Sequence, residues 1–362
     1  MPSWKAAPQV FDQRTSYEKW LDQEALPVIK GFYIEDLKSV DLAPWERKGG
    51  RGTYINLEGT GGTNDAYVVE IAPGGNLKPE KYMFEELIYV LSGRGATTIW
   101  NEGGKKQTFE WQAGSLFSPP LNVWRQHFNG QGDQPVRLLG VTSGPTVINL
   151  YHSMEFVMGD SFVFKDRYSG EEGYFSAEGK LHSARIWESN FVPDVPNFKL
   201  EPKPWRGAGG KGMMFELSNN TMAAHISEFP VGTYKYGHRH GPGAHVVIIG
   251  GEGYSLLWKN QGDKRIRVDW RSGSMFVPPE MWFHQHFNVG PTPARYLALR
   301  WGSEKHRMGG VFSTTGSTEG DAKLGGNQID YCDEDPEIRR VFESELAKRG
   351  VQSGMAQFFG EK

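Results

Sequence analysis

Five of the ten histidines stand in two short clusters, His238-Arg239-His240 with His245, and His284-Gln285-His286. Side chains two apart on a β-strand project to one face, so His238 and His240 can offer both imidazoles to one metal ion. Further along, the segment ending Pro278-Pro279-Glu280-Met281-Trp282-Phe283-His284 brings in a third imidazole after a turn-forming proline pair. The three make a facial set, and the expected ligands are His238, His240 and His284. Three neutral imidazoles leave about three positions open on an octahedral ion, room for a bidentate substrate and dioxygen. His286 shares the strand face of His284 and is a further candidate. Arg300, on the pattern Ala294-Arg295-Tyr296-Leu297-Ala298-Leu299-Arg300-Trp301, could salt-bridge at a barrel rim or hold a substrate carboxylate in a two-pronged fork. Arg239 points away from the metal by alternation.

The two clusters resemble the metal motifs of the cupin superfamily, one built on His-x-His with a later Glu and Gly, the other on a Pro that precedes a His and an Asn. His238 and His240 match the first motif, and Pro279, His284 and Asn288 match the second. Counting back from Gly251, the position of the usual Glu ligand holds Ala244. His245 would fill that slot if the loop Gly241-Pro-Gly-Ala were read as four residues, which leaves it open as a fourth ligand or a neighbour of the ligands. The combination His-Arg-His, then Ala, then Trp-x-His-x-His-x-Asn resembles the gentisate 1,2-dioxygenase group of bicupins, although that group carries its iron in the N-terminal barrel and these histidines lie in the C-terminal half. The resemblance implies an all-β chain of two tandem jelly-roll barrels. It also implies one divalent transition metal, Fe(II) first and Mn, Zn or Ni as alternatives, and a dioxygenase cleaving a C–C bond of an aromatic or enolic substrate with chelating oxygens. A metal-dependent decarboxylase, hydrolase or isomerase of a small oxo or hydroxy acid is the alternative, and a non-enzymatic binding bicupin the third. Tyr234, Tyr236, Tyr254, Trp258, Trp282, Phe283 and Trp301 surround the motifs, and some are expected to wall the substrate pocket.

The elements that position these residues occur twice. Pro44-Trp45 and Gly49-Gly50-Arg51-Gly52 return as Pro204-Trp205 and Gly209-Gly210-Lys211-Gly212, and Gly93-Arg94-Gly95 with Trp100 returns as Gly251-Glu252-Gly253 with Trp258. Gln126-His127-Phe128-Asn129 returns as Gln285-His286-Phe287-Asn288. Barrels over 32–152 and 186–303 follow, with an extension 1–31, connecting loops 153–185, and a C-terminal extension 304–362. Helical patterning with acidic first turns marks Ser16 to Ala25 and Pro336 to Arg349. These ends are expected to pack on the barrels or on another subunit of a homo-oligomer. Through the repeat, Glu80 and Tyr82 replace His238 and His240, and Arg125 replaces His284, while Glu86 is kept. A guanidinium cannot ligate a metal, so the first half reads as a degenerate site filled by an ion pair. His127 persists there without ligands beside it, which favours a structural or subunit-contact role for His286 over ligation, and Asn129 and Asn288 read as turn or hydrogen-bond residues.

Composition bounds the rest. With 13% aromatic residues, 46 Gly and 21 Pro, the chain suits many short strands and tight turns. A net charge of −3 with no basic run argues against nucleic acid. Cys332 stands alone, so no disulfide framework exists, and Met1-Pro2-Ser3-Trp4-Lys5 lacks an apolar signal core, which together lead to an expectation of cytoplasm. No apolar run approaches the roughly 18 to 20 residues of a membrane span. The expected partner is a small anionic or aromatic molecule.

Overall fold

The computed structural model describes residues 12–183, 185–241, 243–260, 262–309 and 320–359. The architecture is all-β, two tandem cupin jelly rolls with short helices at the ends. In each half a large sheet faces a small one. The first pair is an eight-stranded sheet centred on Asp65–Ile71, Val136–Thr142 and Glu86–Ser92, and a three-stranded sheet of Trp124–Asn129, Arg94–Trp100 and Gln107–Gln112. The second pair is a nine-stranded sheet centred on Met222–Phe229, Ala294–Trp301 and His245–Gly250, and a five-stranded sheet of Ile266–Arg271, Glu252–Trp258, Phe283–Asn288, Gly237–His238 and Gln328–Ile329.

The large sheets are buried on both faces, and strand alternation sorts their side chains into two populations. Ala66 and Val68 face a core shared by both halves, which also receives Ala224, Ile226, Leu297 and Leu299. Tyr67, Val69 and Ile71 face the interior of the first barrel. In the second half the residues between those core positions, His225, Ser227, Tyr296, Ala298 and Arg300, line a cavity instead. Two short strands cross between the halves: Tyr33–Ile34 pairs with Met275–Phe276, and Phe191–Val192 pairs with Leu116–Phe117.

The helix Ser16–Glu24 starts on a capping box of Thr15 and Glu18 and packs Tyr17 and Trp20 on the first barrel. The helix Pro336–Arg349 has Asp335 as N-cap, Pro at its start and left-handed Gly350 as C-cap. Its Ile338, Phe342 and Leu346 cover the outer face of the five-stranded sheet. The connecting stretch, read from the sequence as loops, contains a helix Met154–Gly159. No helix among the described residues is long and apolar enough to cross a membrane.

Candidate metal centre and its cavity

The strand Phe283–Asn288 pairs His284 directly with His238. The ring centroids of His284 lie 4.3 Å from His238 and 4.7 Å from His240. One ligand atom from each of the three lies within 4.8 Å of the others. Their orientation is fixed by the backbone: each Nδ1 meets a carbonyl, His238 with Tyr236 O at 3.0 Å, His240 with Gly241 O at 2.9 Å, and His284 with Trp282 O at 3.1 Å. A carbonyl only accepts, so each Nδ1 carries the proton and each Nε2 presents a lone pair, the form a metal ligand needs. Burial, reinforced by the neighbouring imidazoles, holds His238 and His240 well below the usual histidine range, and burial takes His284 down to about 4. Three neutral, convergent donors of this kind fit a divalent transition metal.

His286 differs in tautomer. Its Nδ1 lies 2.8 Å from Ser255 Oγ, which also accepts from Trp270 Nε1 at 2.9 Å. The buried hydroxyl satisfies its own proton by donating to Nδ1, which leaves the proton of His286 on Nε2. His286 therefore lines the cavity as a hydrogen-bond donor. The first half repeats the device, His127 Nδ1 with Thr97 Oγ1 at 2.7 Å and Trp111 Nε1 donating to the same hydroxyl at 2.8 Å. Gly95 and Gly253 make room for those indoles, since a Cβ there would lie 2.5 or 2.6 Å from the ring of Trp111 or Trp270. The Gly-x-Gly repeat in the sequence is the trace of this arrangement.

Ala244 and Val246 line the cavity, whereas Val247 faces the shared core. His245 has the parity of Val247 and is not brought to the imidazole triad; it is wholly buried, and neither ring nitrogen makes a well-formed hydrogen bond. Ala244 thus presents a methyl group to the cavity that the three imidazoles line. The loop between His240 and Ala244 is braced from the first half, where Asn64 Nδ2 donates to Gly243 O at 2.7 Å and Gly59 O accepts from Gly243 N at 3.3 Å.

The cavity encloses about 350 Å³. Its walls depart from the aromatic pocket expected from the sequence, because Tyr234, Tyr254, Trp258 and Phe283 lie in the core under the C-terminal helix and Trp301 in the shared core. Trp205 and Tyr296 are the aromatic lining besides histidine, and six basic residues, Arg185, Lys203, Arg206, Lys235, Arg300 and Arg307, surround the space. Arg300 donates to His225 Nδ1 at 3.3 Å. Lys235 Nζ donates to Ser227 and lies 3.1 Å from Tyr296 Oη. Burial would push the Tyr296 phenol up, but the Lys235 ammonium outweighs it and the net shift is downward. Burial and the other cations push Lys203 down to about 7 and Arg300 down to about 10. Of these residues, sequence reading singled out Arg300 alone as a binding group. Lys203, Arg206 and Lys235 lie in connecting segments whose place over the triad is set by the chain's return path, and no local pattern marks them.

In the first half Glu80, Tyr82, Glu86 and Arg125 come together. The Arg125 guanidinium stacks 3.6 Å from the Tyr82 ring centroid and its Nε is 3.3 Å from Glu86. Glu80 pairs with Lys48 and, at 2.7 Å, with Arg47. Burial pushes the Glu86 carboxyl up to about 7, while Lys48 and Arg47 overcome burial and hold Glu80 below the usual range. A void of only about 10 Å³ remains beside Lys48 and Tyr67.

No protein-family model and no curated protein sequence matches the chain. Solved structures match its fold. A single-residue mutant of Bacillus subtilis oxalate decarboxylase has a TM-score of 0.50 at 14% identity, over 85% of this chain and 88% of that one. The formate complex of Lactobacillus farciminis oxalate decarboxylase gives 0.48 at 14% identity, over 74% of this chain and 85% of that one. These matches give no support to the gentisate dioxygenase group in particular. At this level of identity the likeness is one of fold, and that fold is the bicupin.

Proposed function

We propose that this protein is a metal-dependent enzyme acting on a small oxo or hydroxy acid, with decarboxylation the reaction its site suits best. The observation that carries the reading is the cavity wall: the imidazole triad opens onto cations and hydrogen-bond donors, with little aromatic surface. Bacillus subtilis oxalate decarboxylase, of similar fold, is named for a small diacid, in keeping with this choice. His238, His240 and His284 would hold the ion, Mn, Zn, Ni or Fe, which would supply Lewis-acid polarisation of a substrate oxygen. Ala244 leaves room for the substrate to chelate. Arg300 holds a carboxylate, and the His286 Nε2–H donates to an oxygen beside the triad. When the C–C bond breaks, CO2 leaves and its electron pair stays on the remaining carbon, which needs a proton. Tyr296, kept acidic by Lys235, is placed to give it.

Iron-dependent oxygenation is the second reading. The absence of a carboxylate at Ala244 favours it, because three histidines leave positions for both a chelating anion and dioxygen. Metal analysis of protein purified without chelator is expected to show one ion per chain, lost in His284→Ala and His238→Ala. Protein loaded separately with Mn and Fe is then assayed for CO2 release and O2 uptake on oxalate, 2-oxo acids, 2-hydroxy acids, gentisate and β-diketones. CO2 release without stoichiometric O2 uptake is expected. Stoichiometric O2 uptake transfers the protein to the second reading, and full metal retention in His284→Ala removes the site assignment.

A further inference from the structure

Among the described residues, four fully or partly buried cations outside the cavity are matched by carboxylates: Lys48 by Glu80, Arg125 by Glu86 at 3.3 Å, Arg167 by Glu85 at 2.7 Å, and Arg295 by Glu228 at 2.7 Å. A fifth, Lys81, donates to the Asp160 carbonyl at 2.6 Å. Around the cavity, Lys203, Lys235 and Arg300 lack such carboxylates among those residues. Lys235 is 3% exposed and its side-chain partners are the hydroxyls of Ser227 and Tyr296. Arg300 donates to an imidazole and to its neighbour's carbonyl, Trp301 O at 3.2 Å. Lys203 has no carboxylate within ion-pair distance among the described residues. Glu304, the carboxylate lining the cavity, is engaged by Arg307 at 2.6 Å. Uncompensated charge in a partly desolvated cavity is costly unless a ligand supplies the opposite sign.

The repeat shows that Lys235 and Arg300 are not demanded by the fold. The backbone nitrogen of Lys235 bonds to His286 O just as that of Leu77 bonds to His127 O, so Lys235 stands where the first half has Leu77. In the paired strands, Leu138 opposite Val69 corresponds to Tyr296 opposite Ser227, and Thr142 opposite Asp65 to Arg300 opposite Ala223. The half with filled interior has leucine and threonine; the half with the open cavity has lysine, tyrosine and arginine.

We propose that the cavity contains a second oxyanion subsite, formed by Lys203, Lys235 and Arg300 and separate from the chelating position at the triad. The substrate accordingly carries two anionic groups, one at the triad and one, a carboxylate or a phosphate, against these cations. This rests on the proposed function for the first group only. A volume of about 350 Å³ lies at the small end of ligand cavities, so the molecule is compact.

The test uses chelator-treated full-length protein, titrated calorimetrically with acetate, malonate, succinate and inorganic phosphate. Binding of a dianion at least tenfold tighter than acetate is expected, weakened at least tenfold in Arg300→Gln and again in Lys203→Gln, each checked for native circular dichroism. His284→Ala is expected to retain it. Tighter phosphate than succinate assigns a phosphate group, and the reverse assigns a carboxylate. Equal affinity for acetate and the dianions, or dianion affinity indifferent to both variants, overturns the subsite. Dianion binding in a protein that takes up no metal leaves the subsite standing and removes the proposed function, so the two fail separately.

Discussion

At the scale of single residues, proton position decides role. His238, His240 and His284 donate from Nδ1 to carbonyls and keep Nε2 free, while the Ser255 hydroxyl forces His286 into the opposite tautomer. The same logic separates Ala244 from His245, one on the cavity face and one on the core face. Ala244→Glu is expected to bind the ion about tenfold more tightly and to slow turnover by at least about as much, because the carboxylate takes a position the substrate needs. His245→Leu is expected to leave metal content unchanged and to raise stability by roughly 1 kcal/mol, since it removes a buried polar ring whose nitrogens make no well-formed hydrogen bond. Inductively coupled plasma analysis and thermal melts read both. Lys203 gives a pH signature. Its ammonium falls from 10.5 to about 7 in the folded chain, so from pH 7 to 10.5 the unfolded chain binds more protons and stability rises with pH. Below pH 7 both states are charged and the full penalty applies. Lys203→Gln is therefore expected to melt a few degrees above wild type at pH 6, an advantage of order 1 kcal/mol that shrinks as pH climbs past 7 toward 10.5.

At the scale of elements, the strand Phe283–Asn288 shows how one segment serves two environments. His284 and His286 face the cavity, while Phe283 and Phe287 pack under the helix Pro336–Arg349. The aromatic residues near the motifs follow the second direction, and so the flat-walled pocket expected from the sequence is absent. In the first half the corresponding strand Trp124–Asn129 carries Arg125 into an interior closed by the helix Ser16–Glu24, and ion pairs replace a cavity. Replacing Arg125 by Leu leaves Glu86 buried without its guanidinium partner. A loss of about 3 to 5 kcal/mol is expected in chemical denaturation, with metal content per folded chain unchanged. Loss of metal at constant stability in that variant would reverse the division of labour between the halves.

At the scale of the whole molecule, the halves are not independent. The core between the large sheets draws from both, Tyr33–Ile34 and Phe191–Val192 each complete a sheet of the other half, and Asn64 holds the loop behind His240. The first half thus braces the loop that carries His240 in the second. A single cooperative transition is expected in calorimetry, with equal calorimetric and van't Hoff enthalpies, and removal of the ion by chelator is expected to shift the whole transition downward. Two separated transitions, with only one moved by chelator, would show that the shared core does not couple them.

The sequence by itself determined the features that local spacing and repetition encode. Two-residue periodicity put His238 and His240 on one face, the resemblance to the second cupin motif singled out His284, the duplication announced two similar halves with Arg125 at the place of His284, and capping residues marked the helices at Ser16 and Pro336. What lay beyond it was the choice between faces. In a strand buried on both sides, such as His245–Gly250, neither face is polar enough to declare itself, so the register that puts Ala244 toward the cavity is settled by pairing with Ala294–Trp301. Only the tertiary structure gathered Lys203, Lys235 and Arg300 around one cavity, because contacts between residues far apart in sequence depend on how the sheets close upon each other, and no short-range pattern records that closure.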